Sequence, residues 1–122
     1  MTRRQQIERI VIGTLIADYK HSHEHADGVI EAGMFDNVTY RDIYAEITRQ
    51  AEAGESPNIM TLAKALPQHI DAMVDAATEG HFGTKLADIN RLRMLSGDNL
   101  RTIATFDQYV RQLVIYYYHG NH

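Results

Sequence analysis

The sequence contains no cysteine. This absence excludes disulfide bonds, a thiolate nucleophile and every zinc site that needs cysteine ligands. Long apolar runs are also missing: the longest run of apolar and small residues, 10–17, is far shorter than the ~20 residues of a membrane-spanning helix. The first six residues lead into an amphipathic pattern rather than an apolar signal segment. We therefore expect a cytoplasmic protein that does not contact a membrane.

An excess of basic charge is missing too, since 12 Lys and Arg stand against 16 Asp and Glu. Nucleic-acid-binding domains usually carry a basic excess, so we expect this chain to meet DNA only indirectly. The phosphate-binding loop G-x-x-x-x-G-K-[ST] is absent, because Gly80, Gly83 and Lys85 have the wrong spacing. The carboxylates suggest no acid–base pair, as most fall on polar helix faces: Glu8, Asp42, Glu46, Asp71 and Asp75. We expect a chain that is not an enzyme and has no cofactor.

Helical periodicity is present over most of the 122 residues, a length that suits one domain with one core. Apolar residues recur three and four positions apart, and no alternating strand pattern persists. We predict an all-α fold, a compact multi-helix domain of about six to seven short helices. The inward positions of successive helices predict a shared core that contains Ile10, Leu15, Ile43, Ile47, Leu62 and Val74.

Capping patterns predict where these helices begin and end. Three pairs resemble capping boxes: Thr2 with Gln5, Thr39 with Asp42, and Thr105 with Gln108. Gly33 is predicted to close a short helix around residues 26–30, and Gly54 to end the helix that begins near residue 39. Pro57 with Asn58 opens the next helix, and Pro67 separates it from another. A further helix is predicted around residues 86–95.

One cluster of side chains suits a metal ion. His21, His23 and His25 are spaced two and four apart around Glu24, and imidazoles at this spacing can bind Zn²⁺ or Ni²⁺. His21 and His25 share a face if the segment is helical. The alternative is a solvated turn between two helices, which we favour because no second cluster completes a buried site. We therefore predict no functional metal site and name the three histidines as its only candidates.

The last helix is the candidate interaction surface. Consecutive tyrosines at 116–118 cannot all face one core, and tyrosine is favoured at protein interfaces. The predicted interface residues are Phe106, Tyr109, Val110, Leu113, Tyr116, Tyr117 and Tyr118. If the apolar stripe packs on the chain's own core instead, some of the tyrosines still remain exposed. A nucleic-acid-binding surface is an alternative, because arginines lie at positions 91, 93, 101 and 111. The excess of acidic over basic residues disfavours it.

Several motifs resemble the N-terminal domain of DnaB-type replicative helicases. Residues 8–18 are similar to that family's first helix, E-x-x-V-L-G-x-L-[LM]-x-D. Residues 30–44 and 52–66 resemble the next two motifs in the same order, with Tyr40 where the family usually has histidine. Residues 106–111 match a later helix loosely. The resemblance covers residues 5–79 and resumes at 102–118, whereas residues 80–101 depart from it.

The resemblance implies a single helical domain without the ATPase domain. Residues 1–79 would be its globular core, 80–101 an atypical connection, and 102–122 an interaction helix that begins a helical hairpin. The implied function is non-catalytic: assembly of the hexamer collar and docking of primase or a helicase loader during DNA replication. Because residues 102–122 supply only the first half of the hairpin, we expect the chain to form a weak dimer. A full-length parent would form the hexamer.

Three alternatives remain open at this point. The first is the helicase-binding domain of a primase, or a small phage or mobile-element replication protein, because such primase domains have a similar helical fold. The second is a small helical nucleic-acid-binding protein. A third class, a metal-dependent enzyme, would depend on the histidines at 21–25. Salt-dependent DNA binding or metal analysis would separate these from an interaction domain.

Overall fold

The computed structural model describes residues 2–78 and 99–119, with side chains in the second range from residue 106 onward. Six α-helices occur in these ranges: α1 (Arg3–Ala17), α2 (Tyr19–Ala26), α3 (Val38–Glu52), α4 (Ile59–Ala65), α5 (residues 70–78) and α6 (Asn99–His119). Short 3₁₀ turns, Ala32–Met34 and Pro67–His69, precede α3 and α5. The described ranges contain no strand, so the predicted all-α class is confirmed.

Helix α1 lies at the centre of the fold and contacts α2, α3 and α6. It therefore buries side chains around much of its circumference, including Ile7, Val11, Ile12, Leu15 and Ile16. A helix that is apolar on most sides is typical of a central position, whereas a surface helix keeps one polar face. Within the described ranges, no helix combines the length and the hydropathy needed to cross a bilayer.

The predicted core is correct at four positions and wrong at two. Leu15, Ile43, Ile47 and Leu62 are buried, but Ile10 is only half-buried and Val74 is 48% exposed. In α5, Met73 and Ala76 occupy the inward face instead of Val74. Val74 follows the buried Met73 by one residue, and on a helix with 3.6 residues per turn this rotates its side chain by about 100° away from the inward face.

Several helix ends follow the local signals. The Thr2 hydroxyl accepts a hydrogen bond from the Gln5 N–H at the start of α1. Helix α3 ends at Glu52 and is closed by Gly54, which has φ +80, and the Glu55 N–H donates to the Gln50 carbonyl at 2.9 Å, as in a Schellman motif. Asn58 and Thr61 form a complete capping box at the start of α4. The predictions at Gly54 and Asn58 are confirmed, and so is the start of α1 at Thr2, whose side-chain hydrogen bond is one half of the predicted capping box with Gln5.

Three other boundary predictions are wrong. The second helix lies at Tyr19–Ala26 rather than around residues 26–30, and Gly28 with φ +76 follows it. Helix α3 is capped by Asn37, whose side chain accepts hydrogen bonds from two backbone N–H groups, and not by Thr39. Helix α6 begins at Asn99, so Thr105 lies inside the helix and not at its start. The helix predicted around residues 86–95 and most of the predicted connection at 80–101 lie outside the described residues.

Candidate protein-interaction surfaces

The apolar stripe of α6 packs on the chain's own core. Phe106, Val110 and Leu113 are buried in the same cluster as the side chains of α1, and α6 contacts both α1 and α2. Of the predicted interface residues, these three are therefore covered by the chain itself. Their burial follows from the four- and three-residue spacing, which places them on one face of the helix.

The opposite side of α6 carries large apolar groups at the surface. Ile115 is 55% exposed and Tyr118 is 60% exposed. Tyr117 is half-buried, and its ring lies edge-on to that of Tyr118 with centroids 5.2 Å apart. We call Ile115 and Tyr118 the α6 outer patch, because Tyr117 follows the buried Leu113 by four residues and packs against the core. Tyr109 and Tyr116 are also half-buried and pack against the core.

Ile115 was missed by the sequence-based reasoning, although a signal was available. It lies two residues after Leu113, which corresponds to about 200° around a helix, so it points away from the buried stripe. Arg111, the only member of the arginine group with a described side chain, pairs with Asp107 at 3.0 Å within α6. A solvated i, i+4 ion pair gives no specific indication of nucleic-acid binding.

The histidine cluster lies on helix α2, not in a turn, and its members have different partners. His21 contacts Asp18 at 2.8 Å, and His23 contacts Asp27 at 2.7 Å. The His25 ring faces that of Phe106 edge-on, with centroids 6.3 Å apart. Within the described residues, no group of three His, Cys, Asp or Glu side chains is placed to hold a metal ion. The structure therefore does not join the three imidazoles into a metal site.

Glu8 is fully buried, so its assignment to a polar helix face was wrong. Its two carboxylate oxygens accept hydrogen bonds from the backbone N–H groups of Asp36 and Asn37, both at 3.0 Å. Arg4 Nε lies 3.3 Å from Glu8 Oε2, and Arg4 Nη2 also donates to the Met34 carbonyl at 3.1 Å. Burial raises the pKa of Glu8, while the two N–H groups and Arg4 act in the opposite direction.

Further side chains hold the same loop. The Arg41 guanidinium donates to the Phe35 carbonyl at 3.0 and 3.2 Å, and the Tyr44 hydroxyl donates to the Ile30 carbonyl at 3.2 Å. We call this region, in which α1 and α3 bind the backbone of residues 30–37, the loop junction. It determines where the loop lies between α2 and α3 and thereby shapes the surface beside it.

A groove of about 590 Å³ lies between the end of α2, the loop and α3. Its floor is apolar and includes edges of Leu15, Ile30 and Ile47, which are otherwise buried. Its margin carries three carboxylates, of Asp27, Glu31 and Glu52, and no basic side chain is among the described residues that line it. Sequence-based reasoning missed this α2–α3 groove, because its two walls are distant in the chain.

One of three comparisons with known proteins found a match. A family model described as "DnaB-like helicase N terminal domain" matches residues 1–113 of the 122. The matched range includes Glu8 and the loop junction, as well as the part of α6 that packs on the core. Neither a search of curated proteins nor one of solved structures found a match. The chain therefore belongs to the family of DnaB-like helicase N-terminal domains.

Proposed function

We propose that the chain is the collar domain of a cytoplasmic replicative DNA helicase, where it joins subunits and docks primase or a helicase loader. Membership of the family supports this, because the DnaB N-terminal domain is the non-catalytic interaction and oligomerisation part of such helicases. In this proposal residues 1–79 are the globular core, and residues 102–122 form the interaction helix. DNA is contacted only indirectly, in keeping with the formal charge of −4.

The observation that carries the self-association part of the proposal is the α6 outer patch. The apolar stripe of α6 is already buried in the core, yet Ile115 and Tyr118 place large apolar side chains in solvent on the other side. Burying apolar surface contributes roughly 25 cal/mol per Å², and tyrosine combines a large contact area with a polar end. A second copy of the same helix offers the same patch, as a two-fold symmetric contact requires.

The expected association is weak. A single helix patch buries much less than the ~1,600 Å² of a standard stable interface. We therefore expect a monomer–dimer equilibrium with a dissociation constant in the micromolar range or above, and a contact through the α6 outer patch together with Tyr109, Tyr116 and Tyr117. In a full-length helicase, the same contact would act within a hexamer, where several weak contacts add together.

Sedimentation equilibrium tests this proposal with one double variant. Ile115→Glu combined with Tyr118→Glu places two carboxylates in the proposed contact, and we expect it to abolish the dimer. The matched control is Val38→Glu combined with Met60→Glu, because both side chains are apolar and exposed but lie on α3 and α4. The control is expected to leave the dimer unchanged.

Two outcomes would contradict the proposal. One is a wild type that stays strictly monomeric at about millimolar concentration. At that concentration a binding free energy of only ~4 kcal/mol already places half of the chains in dimers. The other is a dimer that both double variants weaken equally, since the loss would then reflect added negative charge rather than the position of the patch. Circular dichroism on each variant confirms that the helices remain intact.

A further inference from the structure

We propose that the α2–α3 groove binds an amphipathic helix of a partner protein that carries Lys or Arg on both sides of an apolar stripe. This inference deepens the docking part of the proposed function and rests on it. The groove shares no residue with the α6 outer patch, so a partner here and a second subunit at α6 use different parts of the surface.

The shape of the groove favours a helix as its occupant. Along α3, the wall is formed by Ala45, Thr48 and Ala51, which are spaced by three residues and have small side chains. Small side chains on a helix face let a second helix approach closely. The Thr48 hydroxyl donates to the Tyr44 carbonyl at 3.1 Å within α3, so its polar group is satisfied without a ligand. The floor beneath is apolar and fits the apolar stripe of the occupant.

The charge of the margin favours a basic occupant. Asp27 and Glu31 come from the loop and Glu52 from the end of α3, so carboxylates line both walls. Burial raises the pKa of Tyr44 to about 12, and the negative charges of Asp27 and Glu31 act in the same direction. This agrees with a negative potential inside the groove. Asp27 Oδ2 also lies 2.7 Å from His23 Nδ1 on α2.

Other occupants fit the groove less well. Nucleic acid would bring phosphates against three carboxylates. A second copy of this chain carries the same formal charge of −4 and would add to the repulsion. Lys or Arg side chains beside an apolar stripe would instead face opposite charge on both margins, and such complementarity selects the partner and its orientation.

The test uses a synthetic probe and the whole chain. The probe is a leucine–lysine peptide of about 14 residues, roughly four helical turns, and the matched control peptide has glutamate in place of lysine. Each is titrated into ¹⁵N-labelled protein while amide chemical shifts are recorded. We expect the basic peptide to shift the amides of residues 26–32 and 44–52, and the acidic peptide to shift none of them.

Two pairs of variants separate the groove from the overall charge. Ala45→Trp fills the groove, and Ala65→Trp is its control on an exposed alanine of α4 that does not line it. Glu31→Lys reverses a margin charge, and Glu24→Lys makes the same change of net charge on the exposed side of α2. We expect each groove variant to weaken peptide binding about tenfold and each control to change it by less than about twofold.

The proposal fails if the shifts spread over the acidic surface or concentrate on α6, or if the control variants lose as much affinity as the groove variants. It also fails if the groove amides shift when the chain alone is concentrated. The same holds if single-stranded DNA shifts these amides and displaces the peptide. Failure here is distinguishable from failure of the proposed self-association. Ala45→Trp should still dimerise, and the Ile115→Glu, Tyr118→Glu variant should still bind the peptide.

Discussion

The loop junction and the α6 outer patch use their side chains in opposite ways. At the junction, the charged groups of Glu8 and Arg4 lie inside the protein and bind backbone atoms of residues 34–37. At the outer patch, the apolar groups of Ile115 and Tyr118 lie in solvent. Each arrangement reverses the usual preference, which places charge outside and large apolar groups inside.

The reason for the reversal differs between the two regions. A buried carboxylate is tolerated when its oxygens have donors, and both oxygens of Glu8 accept a backbone N–H. The junction thus contributes to the fold. The outer patch lacks such a local reason, because α6 is already held through Phe106, Val110 and Leu113. Exposed apolar groups on a helix that is anchored elsewhere are typical of an interaction surface.

The largest effect on stability is expected from Glu8→Ala at the junction. The variant leaves the N–H groups of Asp36 and Asn37 without their acceptor and Arg4 without its partner. Loss of one member of a buried ion pair typically costs about 3–5 kcal/mol. Urea unfolding followed by circular dichroism measures the change in the free energy of unfolding. The control is Glu24→Ala, which removes an exposed carboxylate on α2 and should leave that free energy within about 0.5 kcal/mol of the wild-type value. A loss below about 1 kcal/mol for Glu8→Ala would mean that the junction does not stabilise the fold.

A pH-dependent effect is expected at Tyr44. Its pKa of about 12 in the folded protein exceeds the ordinary value of 10.0, so the folded state holds the phenolic proton more tightly. The corresponding stability is fully present below pH 10 and is lost as the pH rises through 12, by up to about 2–3 kcal/mol.

Tyr44→Phe isolates that contribution. We expect it to lower the free energy of unfolding by about 1 kcal/mol at neutral pH, because the variant lacks the hydrogen bond to the Ile30 carbonyl. The free energy of unfolding should then fall less steeply than in the wild type between pH 10 and 12. Tyr19, whose pKa is also raised, titrates in both proteins, and its charge contributes to the raised pKa of Tyr44 in the wild type. Equal slopes for wild type and variant would contradict this assignment.

The smallest effect is expected at the α6 outer patch. Ile115→Ala and Tyr118→Ala should each change the free energy of unfolding by less than about 0.5 kcal/mol, because both side chains are mostly in solvent already. Leu113→Ala, two residues from Ile115 but fully buried, should cost about 2–5 kcal/mol and serves as the reference. If the outer variants cost as much as Leu113→Ala, the patch is part of the core and the contrast with the junction disappears.

Predictions from neighbouring residues succeeded at some helix ends and failed at others, such as the starts predicted at Thr39 and Thr105. The closure of α3 by Gly54 and the start of α4 at Asn58 follow from hydrogen bonds that span at most five residues. The motif order that indicated the family is also a property of the chain alone. Helix α2 was missed because its histidine-rich sequence has a weak apolar pattern. Its burial of Ser22 and Ala26 depends on contacts with α1 and α6.

The helical class, the family, the lack of cysteine chemistry and the lack of a nucleotide-binding loop could all be predicted from the order of the residues. The burial of Glu8, the inward packing of the α6 stripe and the groove with an acidic margin between α2 and α3 became visible only in the folded chain. The two sets of features differ in the distance along the chain over which they are specified. Helical periodicity and caps are set by residues a few positions apart, whereas Glu8 meets Asn37 across 29 positions. Such a pairing is selected by the packing of whole helices, which no local pattern encodes.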